Sequence, residues 1–90
     1  IDELYVGVDK DGRGFVLPVE AKEVGERLGL DKVVALTLFS RTRFPKLICR
    51  PIGIIRRGLH LFDCVEFEPS QELSNVVVLE MRRYQLVTET

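Results

Sequence analysis

An acid and a base two residues apart, Glu20 and Lys22 on either side of Ala21, close an apolar run that begins at Phe15. The tripeptide alone is weak, because at average composition a Glu-x-Lys falls by chance in roughly one chain in three of this length. Its setting carries more. Residues 15 to 21 are nearly all apolar and are bounded by Gly12, Gly14 and a charged stretch, which suits a buried strand better than a two-turn helix. Side chains alternate on a strand, so Glu20 and Lys22 leave on one face and Ala21 on the other. Asp2, one hairpin upstream, is the candidate to join them. Two carboxylates held side by side repel, and one takes up a proton unless a cation compensates. Hard oxygen donors favour Mg²⁺ or Mn²⁺, which retain several waters and accept a phosphate oxygen. Such an ion polarises a phosphodiester and acidifies a bound water, while an adjacent lysine orients that water or offsets developing charge.

The elements that must position these residues are a hairpin and a crossover. Leu4 to Val8 reads as a strand, and Asp9 to Gly14 as the turn into Phe15 to Lys22. Register decides the site. A two-residue Asp11-Gly12 turn sets Asp2 opposite Ala21, on the wrong face, and Glu3 opposite Glu20. A three-residue Lys10-Asp11-Gly12 loop, with Gly12 left-handed and a bulge, sets Asp2 opposite Glu20. The second gathers the three residues and is preferred, with Glu3 as the reserve ligand. Downstream, Asp31 is expected to N-cap a helix running to Thr42 that packs through Val33, Val34, Leu36 and Phe39, and Phe44-Pro45 to end it. Leu47 to Ile55 reads as a strand parallel to Phe15–Lys22, broken or bulged at Pro51. Pro18 raises the same question in the first strand, as a local distortion or an edge position. Leu59 to Phe67 and Val76 to Val87 read as further strands across a polar loop, which makes an α/β fold with a mixed sheet and a flanking helix.

At this point the chain resembles a known family. Asp2, the hairpin and Glu20-Ala21-Lys22 are similar to the D…(D/E)xK signature of the PD-(D/E)XK nucleases. IDELYVG, PVEAK, FPKLICRPIGI at Phe44 to Ile54, LHLFD at Leu59 to Asp63, and RRYQLV at Arg82 to Val87 resemble restriction-endonuclease-like proteins in order and spacing, over nearly the whole chain. The resemblance implies a restriction-endonuclease-like core and a Mg²⁺-dependent endonuclease acting on DNA. It implies Asp2, Glu20 and the Ala21 carbonyl as metal ligands, and Asp2, Glu20 and Lys22 as catalytic residues. In that family a helix and usually a strand precede the aspartate, so residues 1–90 are expected to form a single domain that is a fragment lacking both. The helix after the lysine often sends a glutamine or another polar residue to the site, and residues 31 to 42 have none in an obvious place. Such enzymes often act as dimers, so a homo-oligomer is a further expected partner. The alternative is a catalytically inactive nuclease-like domain that binds nucleic acid or protein; a purely structural module is the third reading.

Composition sets the remaining bounds. Ninety residues, 46% hydrophobic and 30% charged, suffice for one small core, and no apolar run is long enough to span a membrane. Cys49 and Cys64 lack metal-ligand spacing and read as reduced thiols, which implies a cytoplasmic setting. The net charge of −1 does not announce a nucleic-acid binder. Its distribution does more, because Arg41, Arg43, Lys46, Arg50, Arg56 and Arg57 follow one another with no acid between them. They are either phosphate contacts, which would make binding salt-dependent, or a solvated face, and Arg82 and Arg83 extend either version. His60, the only histidine, reads as a packing or surface residue, Phe39, Phe44, Phe62 and Phe67 as core, and Asp9 and Asp11 as turn residues.

Overall fold

The computed structural model describes residues 2–70, 72 and 75–88, with position 2 as backbone alone. Strands β1 (Asp2–Val8) and β2 (Gly14–Lys22) form the hairpin. Gly12 has φ +80°, the Gly12 N–H donates to the Asp9 carbonyl at 3.0 Å, and the Asp9 N–H donates to the Arg13 carbonyl at 3.0 Å. This is the three-residue loop, and it sets Asp2 opposite Glu20 in the antiparallel register. The Asp9 side chain fixes the turn from inside: its Oδ1 accepts the Asp11 and Arg13 N–H groups, each at 2.9 Å, and its Oδ2 accepts the Arg13 guanidinium at 2.8 Å. These bonds, the Arg13 N–H foremost, hold its carboxyl below the usual range.

Helix α1 (Leu30–Arg43) carries the chain back to β3 (Ile48–Cys49) and β4 (Ile52–Arg56), both parallel to β2. β5 (Leu61–Glu68) and β6 (Val77–Gln85) follow as antiparallel neighbours. The six-stranded mixed sheet has the order β1-β2-β4-β5-β6, with β3 beside β2 ahead of β4. Pro18 is not on an edge; β2 is flanked on both sides and Pro18 is fully buried. The Val16 carbonyl accepts the Arg50 N–H at 2.9 Å, so position 18, two residues on, turns its nitrogen toward the same side. There the neighbouring strand is interrupted between Cys49 and Ile52, at Arg50 and Pro51. The missing N–H of Pro18 thus meets the break that Pro51 makes, and the Pro51 carbonyl instead accepts the Phe67 N–H at 2.9 Å.

The helix differs from expectation in two details. Gly29, not Asp31, is its N-cap, and Asp31 lies in the first turn, where its carboxylate faces the helix N-terminal dipole and leans over Gly29. Its buried stripe is Val33, Val34, Thr37 and Ser40, whereas Phe39 is 54% exposed. At 3.6 residues per turn, Phe39 is rotated about 200° from Thr37 and cannot share its face. The Thr37 hydroxyl is satisfied within the helix, donating to the Val33 carbonyl at 2.8 Å. Val33 packs with Val65 and Phe67 as the buried core, with Leu28, Ile55 and Val76 against it. One helix covers one face: Leu17, Val19, Ile52, Ile54, Phe62 and Cys64 on the other remain half-buried.

The left-handed turn is testable. Gly12→Ala meets no steric obstacle yet forces a Cβ into positive φ, so urea unfolding is expected to show a loss of about 1 kcal/mol. Gly7→Ala, in open space on β1 and without positive φ, is expected to be neutral or mildly stabilising.

Candidate active site

Glu20 and Lys22 reach one face from adjacent inward positions of β2, while Ala21 between them is exposed on the other. Glu20 is 3% exposed. Its Oε1 lies 2.9 Å from the Lys22 Nζ, and its Oε2 is buried with no hydrogen-bond partner among the described residues. Next to Glu20 across the sheet is Gly53, and the space a Cβ would take there is filled by Leu28 and Phe67. An apolar wall therefore stands beside the carboxylate. A buried carboxylate oxygen without a donor costs on the order of 1–3 kcal/mol, more for a charge, and attracts a cation or a proton.

Backbone register brings Asp2 opposite Glu20, and its side chain lies outside the described part of the chain. By the alternation that directs the Val16 carbonyl to β3, the Ala21 carbonyl is directed to the β1 side, where Asp2 stands. The described donors here are one orphaned carboxylate oxygen and one carbonyl, both hard oxygens of the kind a divalent cation accepts, with Asp2 opposite Glu20 in the backbone register. Among the described side chains, no three of the His, Cys, Asp and Glu groups converge as a metal cluster. Glu3 is not a reserve ligand. It pairs with Val19, so the three-residue loop turns it to the open face, where its carboxylate accepts the Tyr5 hydroxyl.

Sequence reasoning passed over Asp63. On the helix-covered face it lies in the same row as Lys22 and Ile55, is 1% exposed, and holds two arginines. Arg83 donates from Nε to Oδ1 at 2.7 Å and from Nη2 to Oδ2 at 3.1 Å, and Arg57 donates from Nε to Oδ2 at 2.9 Å. The Arg83 bonds, then those of Arg57, hold its carboxyl well below the usual carboxylate range. A signal existed: Asp63 is in phase with Val65 and Phe67, an acid at an inward strand position.

The six basic residues do not form one patch. Arg41 and Arg43 end α1 and Lys46 precedes β3, near the start of β2, whereas Arg56 and Arg57 lie at its Lys22 end. The length of β2, about 25 Å, separates the two groups. Arg50 pairs with Glu66 at 3.4 Å, Arg56 with Glu23 at 3.4 Å, and Arg57 with Asp63. His60 is exposed, Phe44 and Phe62 are half-buried, and only Phe67 of the four phenylalanines expected in the core is fully inside. Both cysteines are free; Cys49 shares the helix-covered face with Val16, Cys64 the open face with Ile54, and burial pushes both thiols up.

Because the folded-state pKa of Asp63 lies below its unfolded value of about 3.9, the stability it contributes is full above that value and is lost as pH falls through the folded one. Chemical denaturation of the parent and of Asp63→Asn is expected to differ most at neutral pH and to converge below about pH 4. A gap independent of pH would mean that the carboxylate charge is not what the two arginines recognise.

Among the described residues no helix is long and apolar enough to cross a membrane. Comparison with protein-family models, curated proteins and solved structures gave no match, so the site rests on its own geometry.

Proposed function

We propose that the chain is a Mg²⁺-dependent endonuclease domain hydrolysing DNA phosphodiester bonds, of the PD-(D/E)XK, restriction-endonuclease-like kind. Asp2, Glu20 and Lys22 are its catalytic residues. The observation that carries the reading is the buried Glu20 carboxylate, with one oxygen on Lys22 and the other unpartnered, at the strand position that faces Asp2. Glu20, the Ala21 carbonyl and Asp2 would hold the cation, with Mn²⁺ able to replace Mg²⁺. When bound, it supplies Lewis acidity and offsets charge at the scissile phosphate. The Glu20 ion pair aims the Lys22 ammonium along the same face, where it donates to the attacking water or to a non-bridging phosphate oxygen and stabilises the charge that develops there. The apolar wall of Leu28 and Phe67 keeps water from the carboxylate and strengthens both interactions. Arg56 and Arg57 flank this end and contact DNA phosphates nearby; Arg41, Arg43 and Lys46 contact them at the far end of β2, with Arg50 between.

A second reading, a catalytically inactive nuclease-like domain that binds nucleic acid or protein, is favoured by one feature. The Glu20–Lys22 ion pair neutralises the carboxylate without a metal.

Cleavage of supercoiled and linear DNA with Mg²⁺ or Mn²⁺ separates the two. The parent protein is expected to cut, and Lys22→Ala and Glu20→Gln to lose on the order of 10²-fold or more in rate while still binding DNA. Binding without cutting by the parent under either metal, or equal cutting by parent and variants, removes the triad as the working site and leaves the binding reading.

A further inference from the structure

Strand β6 is exposed at all nine positions, on both faces and along one edge of the sheet. Its exposed side chains include Val77, Val78, Leu79, Met81 and Tyr84, with Met81 at 62%. An edge of this length with so much apolar surface is a template for another strand. The other edge, β1, is also open, but its charged residues are all acidic, so a copy of β1 offers them no opposite charge.

The backbone restricts how a second copy can pair with β6. The Leu86 N–H donates to the His60 carbonyl at 2.7 Å, so even-numbered positions from Leu86 back to Glu80 turn their backbone groups toward β5. Met81 and Arg83 turn theirs to the open edge. A two-fold antiparallel pair must match outward positions with outward positions, so its axis passes through a residue rather than between two. An axis at Glu80 sets Glu80 against its own copy, one at Arg82 sets Arg82 against Arg82, and one at Arg83 sets Arg83 against Arg83. Like charges directly opposite are destabilising. An axis at Met81 is the remaining choice within Glu80–Arg83. It sets Met81 on Met81 and gives each Glu80 the Arg82 of the second copy, on the face without the helix. Glu80 and Arg82 already pair along their own strand at 2.7 Å, so the two copies would form a ring of four alternating charges.

We propose that β6 is a self-association edge, through which two copies of this chain join their sheets about a two-fold axis at Met81, with Glu80 of each facing Arg82 of the other. This does not rest on the proposed chemistry: sedimentation reads the edge, and cleavage reads the triad. The test is analytical ultracentrifugation of the chain and of two single variants, each first checked by circular dichroism. The parent is expected to be dimeric at tens of micromolar. Glu80→Arg brings four positive charges together and Arg82→Glu four negative ones, so each alone is expected to associate at least tenfold more weakly. An equimolar mixture of the two restores both cross-strand pairs and is expected to form a one-to-one heterodimer near parental affinity. The ion pair within a single strand cannot produce that result. Met81→Lys, which puts two ammonium groups at the axis, is expected to be monomeric and covers the case in which a charge variant does not fold. A monomeric parent at 100 micromolar, a dimer that the variants leave within twofold, or a mixture that associates no better than its components would each overturn the proposal.

Discussion

Pairing of β2 on both edges is the constraint from which the rest of the structure follows. On one side the left-handed Gly12 turn sets β1 in register, and a slip of one residue would turn every β1 side chain to the other face. On the other side β2 must accommodate a proline that cannot donate. It does so because the opposing strand is broken at Pro51, where the ladder passes from β3 to β4. Two residues that each weaken a strand are placed so that one gap serves both. The segment beyond them, Val19 to Lys22, then pairs regularly with β4 and presents Glu20 and Lys22 in fixed positions.

A single helix on one face divides the sheet into two environments. Under α1, Val16, Val65 and Phe67 exclude water, and Glu20 and Asp63 are buried with them. The two acids solve the same desolvation problem differently. Asp63 is fully engaged by two guanidiniums whose outer parts stay in solvent, whereas Glu20 has one lysine and an unpartnered oxygen. That difference marks Asp63 as structural and Glu20 as the group with capacity left for a ligand. The open face carries Ile54, Phe62 and Cys64 half-exposed, with the Phe62 and Tyr84 rings stacked 5.7 Å apart.

Charge is distributed by the fold rather than by the order of the chain. The basic run from Arg41 to Arg57 passes along the whole length of β2, and half of it is neutralised by acids outside the run, Glu23, Asp63 and Glu66. What a run of basic residues offers to phosphates therefore depends on which of them keep free donors. At the β6 edge, by contrast, short spacing is decisive, since Glu80 and Arg82 lie on one face and in reach of each other because strands alternate.

By itself the sequence determined the elements and the parallel pairing of β2 with the strand after the helix. Apolar runs separated by glycine and polar turns specify the strands, the length of the connection favours a parallel partner for β2, and the turn residues admit two hairpin registers, of which the structure adopts the one that puts Asp2 opposite Glu20. These are local consequences of backbone geometry, and local geometry is what sequence spacing encodes. The tertiary structure decided burial and partners. It turned Phe39 out and Thr37 in, because helix phase is set by contact with Val65 and Phe67 rather than by hydrophobicity alone. It buried Asp63 between Arg57 and Arg83, split the basic run, and left β6 without a partner on one edge among the described residues. Each of these depends on residues far apart in the chain meeting across a sheet, where desolvation and charge pairing act over ångströms rather than over residue number.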